Sequence, residues 1–429
     1  MKVGIVSLGC CKNLIDTQNA LSFLKASGHI FVDNPAEADA IIVNTCGFIN
    51  DAKQESINTI LQMAEYKKSG LKYLIVMGCL VQRYKEELKK EIPEVDCFIA
   101  IDEYKNLPEI FNKILHSNTK YKCETVIATY PHTAYLRIAD GCSNRCSYCA
   151  IPLIRKDYRS VPFEDIIKHA KELEKLDVKE LNLIAQDTTR YGIDLYGKLR
   201  LADLLEELNK MNFTWIRILY MYPDEITDDL LERMSKLDKV IPYFDIPVQH
   251  ANNRLLKLMN RRGTKEHILS VISKIREKFN EPILRTTIIV GFPTETDEDF
   301  DELLQFVNEV KWDRLGAFTY SSEEDTPAYT MEPKVEEIVA QKRLSELMKL
   351  QEKISKENNQ RFVGRKLTVL VESKDSIRDN QYEGRAAQHA PDDIDGHVRF
   401  SCNRQLNAGE FIEVTITSAD SYDLYGQAE

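Results

Sequence analysis

AYLRIADGCSNRCSYCA, residues 134–150, is the stretch on which the fold turns. It begins as an apolar, strand-like run and ends in a loop holding Cys142, Cys146 and Cys149 at C-x3-C-x2-C spacing. A closed structural zinc site takes four ligands. No second C-x2-C or H-x3-H pair stands elsewhere in the chain to complete one. Downstream, LNLIAQD, WIRILYMY, VIPYFDIPV, ILRTTIIVGF and RLGAFTY repeat the apolar run, with amphipathic stretches such as FEDIIKHAKELEKL and DEDFDELLQFVNEV between them. Strands alternating with helices in this way make a parallel α/β layer. Six such units are too many for a small sheet and too few for a closed eight-stranded barrel. Residues 133–362 are therefore expected to form an open, TIM-like (β/α)6 partial barrel, with the three-cysteine loop on its catalytic face.

Upstream, residues 1–116 carry KVGIVSLGC (2–10), DAIIVNTCGF (39–48) and KYLIVMGCL (72–80), separated by helix-like segments. Uniformly apolar strands alternating with helices predict a doubly wound parallel sheet. Its crevice lies beyond the carboxyl ends of the strands, which places Cys10, Cys46 and Cys79 together. A lone buried cysteine is usually core; three at equivalent strand ends point to joint work. Neither GxGxxG nor a Walker loop is present, so a nucleotide is not the expected occupant. Residues 117–132, within HSNTKYKCETVIATYPH, read as a linker. Residues 334–361 read as a long charged helix with Pro333 ahead of it. Residues 363–429, with KLTVLVES, YEGRAAQHAP, GHVRFSC and EFIEVTITSA, read as a small antiparallel OB-type barrel. Cys97, Cys123 and Cys402 fit no pattern and are read as structural.

Bulk properties bound the function. A chain of 429 residues, 43% hydrophobic and 29% charged, is an ordinary soluble type. No apolar run reaches the ~18 residues of a membrane span. MKVGIVSLGC lacks a signal peptide's cleavage region, so a cytoplasmic location is expected. Ten cysteines are too few for a disulfide scaffold, and their clustering indicates metal or redox work. The net charge of −11 argues against a nucleic-acid partner and suits a basic protein. Residues 364–429 hold 7 Lys and Arg against 12 Asp and Glu. Such a barrel is a poor phosphate binder and a suitable dock for a basic partner.

Three thiolates can hold a cubane iron–sulfur cluster by three irons, which leaves the fourth iron open to a substrate or cofactor. With its place after the first barrel strand, the C-x3-C-x2-C loop resembles the radical S-adenosylmethionine superfamily. That resemblance implies S-adenosylmethionine on the open iron and its reductive cleavage to a hydrogen-abstracting 5′-deoxyadenosyl radical. A cysteine triad, a radical barrel and a small C-terminal barrel (TRAM) in this order resemble the methylthiotransferases. The resemblance implies a second, auxiliary [4Fe–4S] cluster on Cys10, Cys46 and Cys79 that handles the inserted sulfur. SLGCCKNLIDTQ, YPDEITDDLLERM, FDIPVQHANNRLLKLMNRRG, RTTIIVGFPTET, EDTPAY and GRAAQHAPDDIDG resemble the RimO type. For that type the implied target is the β-carbon of an aspartate in ribosomal small-subunit protein twelve, with a reducing electron donor as a further partner. The alternative is a transfer-RNA (adenosine) methylthiotransferase, which would want a basic last barrel. A non-catalytic iron–sulfur module docking on ribosomes is a third reading.

Further candidates stand near the expected active rim, where the cofactor needs polar contacts. These are Tyr148 in the cysteine loop, Gln186 and Asp187 after the second barrel strand, Gln249 and His250 after the fourth, and Arg285, Gly291 and Glu295 on or after the fifth. Gly291 could let backbone approach a ligand closely. Two positions depart from the family pattern: Cys11 replaces an expected proline and is a possible rival to Cys10, and Lys156 replaces an expected glycine after Arg155.

Overall fold

A computed structural model describes residues 1–117, 125–392 and 394–429. Cys123 lies outside the described residues. The chain divides into two compact units: residues 1–129, 140–159 and 321–329 form the first, and residues 130–139, 160–320 and 330–429 the second.

The first unit is built on a five-stranded parallel sheet of β1 (Lys2–Ser7), β2 (Ile30–Phe31), β3 (Ala40–Thr45), β4 (Tyr73–Gly78) and β5 (Cys97–Ile99), in the order β2-β1-β3-β4-β5. Every residue of β3 is buried, because helices cover both faces. Ile41, Val43, Leu74 and Val76 pack against Ile60 and Met63 of α2 (Asn50–Ala64) and Leu80 of α3 (Cys79–Glu91). The alternate residues Ile42, Ile75 and Met77 pack against Phe23 and Leu24 of α1 (Cys11–Ala26) and Phe111 of α4 (Leu107–Ile114). The strand order reverses between β1 and β3, and ligand crevices of doubly wound sheets open at such a point. Cys10 follows β1 and Cys46 follows β3.

The barrel strands are β6 (Thr133–Arg137), β9 (Glu180–Ile184), β10 (Trp215–Ile218), β11 (Tyr243–Asp245), β12 (Ile283–Val290) and β13 (Arg314–Thr319). Two short strands, β7 (Ala139–Asp140) and β8 (Arg159–Ser160), bracket the cysteine loop. The six barrel strands pair in parallel as β10-β9-β6 and β11-β12-β13, and a bridge from Ile216 to Val240 carries the chain across between the two sets. The expected open (β/α)6 architecture is present. The sequence assigned the whole of 133–362 to it, whereas 140–159 and 321–329 group with the N-terminal sheet.

A helix at Glu337–Gln360 leads to a closed barrel of β14 (Lys366–Lys374), β15 (Gln381–Ala386), β16 (Val398–Cys402), β17 (Phe411–Ala419) and β18 (Leu424–Ala428). The barrel is not wholly antiparallel: β16 and β18 run parallel, because β17 closes the ring on β14 and β18 must enter beside β16. Cys402 is buried in its core and Cys97 is half-buried on β5. Within the second unit this barrel is fixed to the partial barrel by charge. Glu180, fully buried, pairs with Arg217 at 3.0 Å and with Arg385 at 2.6 Å, and Arg385 also reaches Glu372 at 2.6 Å. Asp392 and Asp395 accept the hydroxyls of Tyr135 and Tyr243. Burial alone would raise the Glu180 carboxyl, but the two guanidiniums outweigh it and hold the group at about 2.

Candidate active site

Three strand ends build the N-terminal half of the site. Cys10 is the N-cap of α1, Cys46 directly follows β3, and Cys79 opens α3. Two of the three thus sit at helix N-termini, where the backbone dipole favours an anionic ligand or thiolate. The loops can close on one another only because they carry glycine. A Cβ at Gly9 would stand 2.8 Å from the Cys46 Cβ, one at Gly47 2.8 Å from the Leu80 backbone, and one at Gly78 2.4 Å from the Thr45 carbonyl. Gly78 also has φ +111°, open to glycine at little cost. Burial pushes the Cys79 thiol up to about 12 against the pull of Arg155, and burial raises Cys46 as well. Cys10 adds its charge to both of these thiols, so the three share one field. Cys10 is exposed and Cys11 is buried at the start of α1.

The second triad belongs to the same unit. Gly141, at φ +76°, has no room for a side chain, because a Cβ would meet the Asp157 carbonyl at 2.2 Å. This approach lets the Cys142 N–H donate to the Lys156 carbonyl at 3.1 Å and the Ser143 hydroxyl accept from the Tyr158 N–H at 3.1 Å. The Cys149 N–H donates to the Cys146 carbonyl at 3.0 Å, and the Cys149 sulfur accepts from the Ile151 N–H at 3.5 Å. Ala150 and Ile154, the latter in α5 (Ile151–Arg155), pack with Cys79 in one small core. Lys156 adopts φ +64° and ψ −159°, a region open almost only to glycine. The glycine the family expects would fit there without strain.

Sequence reading missed the polar floor under the first triad. The Asn13 amide donates to the carbonyls of Leu8 and Thr45 at 3.1 and 3.0 Å and accepts from the Cys79 thiol at 3.3 Å. Arg155 donates to Asp16 at 2.6 Å and to Asn13 at 2.9 Å. The signal was the polar run Lys12, Asn13, Asp16 and Thr17 on the buried face of α1, where an amphipathic helix would show apolar residues. EDTPAY (324–329) and the glutamate just before it are also engaged. Glu323 is buried and meets Arg83 at 2.6 Å and Lys53 at 2.9 Å, while Ala328 donates to the Ser147 carbonyl at 2.8 Å.

In the second unit Gln186 is half-buried after β9, and Asp187 is buried, accepting from the Thr189 hydroxyl at 2.6 Å. Gln249, at φ +71°, extends the sheet by backbone bonds to Thr287 and Ile289. His250 accepts from the Asn252 N–H at 3.0 Å, and burial lowers it to about 4. Burial raises Glu295 to about 7 although Arg343 pairs with it at 2.9 Å. Two further candidates have partners within their own unit. Arg285 is the third residue of β12, at the end of the strand away from the rim, and is held by Asp245 at 2.7 Å and Asp395 at 3.6 Å. Gly291 admits the helix Glu337–Gln360, since its Cβ would stand 2.5 Å from that of Ala340. Tyr148, in the cysteine loop of the first unit, is half-buried.

Among the described residues no group of His, Cys, Asp or Glu is placed to hold a single metal ion. A cubane cluster, with its irons at separate corners, asks for more widely spread thiolates than one ion does. Two glycine-walled triads with cysteine as the donor suit that group. Among the described residues no helix is long and apolar enough to cross a membrane.

A partial barrel with a three-cysteine loop after its first strand defines a radical S-adenosylmethionine enzyme. Residues 136–307 match the radical SAM superfamily, residues 2–100 the uncharacterized protein family UPF0004, and residues 363–428 the TRAM domain. The ribosomal protein uS12 methylthiotransferase RimO of Clostridioides difficile is 49% identical over 99% of this chain and 98% of its own length. That of Caldicellulosiruptor saccharolyticus is 47% identical over 100% of this chain and 99% of its own. The chain belongs to the RimO family of radical S-adenosylmethionine methylthiotransferases, whose cofactors are [4Fe–4S] clusters and S-adenosylmethionine. Among solved structures, the fold resembles the methyltransferase TsrM of Kitasatospora setae (TM-score 0.57, 12% identity, 76% of each chain). It also resembles the cobalamin-dependent radical enzyme OxsB (TM-score 0.52, 12% identity, 82% of this chain); the chain spans 56% of that enzyme's length.

Proposed function

We propose that this chain attaches a methylthio group to the β-carbon of an aspartate in ribosomal protein uS12, replacing C–H by C–SCH3. The observation that carries the reading is the presence of two cysteine triads in one compact unit, in a chain whose full-length relatives bear that activity's name. Cys142, Cys146 and Cys149 would hold the cluster that receives S-adenosylmethionine, and Cys10, Cys46 and Cys79 the auxiliary one. Bound there, the two clusters supply a radical generator and a site for the sulfur. The chain's own residues bind, space and shield them. Gly9, Gly47 and Gly78 let the three N-terminal loops close, and the Cys142–Lys156 backbone bond shapes the second loop. Tyr148, Gln186, Asp187, Gln249, Arg285 and Gly291 are assigned to the cofactor's polar and aromatic parts, with Arg285 and Gly291 the weakest of the six because each already has a structural partner. Each buried thiol must lose its proton as metal arrives, so cluster loading releases protons and improves with rising pH.

The acidic last barrel suits a basic ribosomal protein, and a reducing electron donor completes the set of partners. Ribosomes place the work in the cytoplasm. Anaerobically reconstituted protein should carry roughly eight irons, about half of them lost when Cys142, Cys146 and Cys149 become alanine. The deciding assay offers methyl-labelled S-adenosylmethionine, uS12 and bulk transfer RNA in one tube. Label on uS12, lost when the target aspartate becomes alanine, is expected. Label on the RNA would sink the protein-substrate reading.

A further inference from the structure

Arg155 is a buried cation that the proposed chemistry leaves unused. It closes α5, on the loop of the C-x3-C-x2-C triad, and its side chain is 2% exposed. Its guanidinium nonetheless ends among residues of the other triad's floor. One nitrogen donates to Asp16 at 2.6 Å and to Asn13 at 2.9 Å, and lies 3.9 Å from the Cys79 sulfur. The other reaches Asp140 at 3.3 Å. Asn13 accepts from the Cys79 thiol, so Arg155, Asn13 and Cys79 form a closed triangle. A guanidinium out of water is costly, and an apolar residue of like size would serve packing as well. What an apolar residue would lack is the charge and the planar fork that spans four partners at once.

We propose that Arg155 is a positioning residue for the auxiliary cluster: it holds the Cys79 sulfur in the cradle and raises that cluster's reduction potential, with Asp16 moderating the effect. The inference rests on the reading that Cys10, Cys46 and Cys79 ligate a cluster. Reduction adds one electron and so one negative charge. A fixed cation at a ligand sulfur stabilises the reduced state more than the oxidised one, and hydrogen bonds to cluster sulfurs act in the same direction. Asp16, ion-paired to the same nitrogen, works against both.

The test is a potentiometric titration, read by electron paramagnetic resonance, of full-length protein in which Cys142, Cys146 and Cys149 are alanine, so that only the auxiliary cluster is present. Arg155→Gln should lower the midpoint potential and Asp16→Asn should raise it. Arg155→Lys should fall between the parent and Arg155→Gln, with iron retained in all three. Unchanged potentials, or shifts of the same sign for Arg155→Gln and Asp16→Asn, overturn the proposal. So does loss of iron from both Arg155 variants, which would make the residue a strut alone. A parent that binds no iron at all overturns the cluster assignment itself, which separates the two failures.

Discussion

Arg155 in the first unit and Arg385 in the second are almost equally buried, with 2% and 1% of their side chains exposed. Each meets two carboxylates: Asp16 and Asp140 for Arg155, Glu180 and Glu372 for Arg385. They differ in what completes the set. Arg385 goes on to the His389 carbonyl and the Thr133 hydroxyl, groups with no chemistry to perform. Arg155 goes on to an amide that itself holds a thiol, and to that thiol. Burial and ion pairing therefore do not by themselves mark a working cation; a reactive partner does.

The contrast breaks most visibly at Glu180. Glu180→Ala leaves buried Arg217 without its carboxylate and Arg385 with Glu372 alone, and should cost about 3–5 kcal/mol in urea unfolding. Changing Glu180→Leu, Arg217→Met, Arg385→Met and Glu372→Gln together, so that no buried charge is left alone, should recover most of that loss, as expected of a network that serves structure alone. A pH scan comes next. The stabilisation due to neutral His250 is full above its unfolded pKa near 6.5 and is lost as pH falls toward about 4. A shift of that size is worth on the order of 3 kcal/mol. Glu295, raised to about 7, works the other way, because its neutral form gains stability as pH falls from about 7 toward 4.5. His250→Gln should therefore remove the His250 loss and leave the second unit gaining stability as pH falls across this window. The Glu180 contribution persists there and fades only from pH 4.5 toward about 2. In the first unit, Gly78→Ala forces a side chain against the Thr45 backbone and should cost about 2 kcal/mol; auxiliary iron should fall with it. The smallest effect carries the opposite sign. Lys156→Gly relieves a strained backbone and should stabilise by about 1 kcal/mol, net of the entropy glycine brings to the unfolded chain. A melting curve that moves down instead would show that the Lys156 kink is not strained.

Apolar periodicity made β1, β3, β4 and the six barrel strands legible in the sequence, because their burial is long and uniform. Cys10, Cys46 and Cys79 could be grouped because each follows such a run. The sequence did not reveal that Asn13 and Asp16 face inward, since a polar helical face reads as solvated until something buried is known to receive it. That Arg285 meets Asp245 and Asp395, and that Gly291 admits a helix, could not be read from the sequence, because those neighbours lie far along the chain. The parallel pairing of β16 with β18 was hidden for the same reason: strand direction in a closed barrel depends on which partner is left over.

The first unit is assembled from three separate stretches of chain, which constrains how this architecture could have been put together. A fragment ending at residue 129 carries all three N-terminal cysteines yet lacks Arg155, so the Asp16 carboxylate would be buried without its guanidinium. It also lacks Glu323, the counter-charge of Arg83. Recombination at the apparent domain boundary would therefore transplant the cysteines without their floor. A shuffled or truncated chain would inherit the ligands but not the residues that set them.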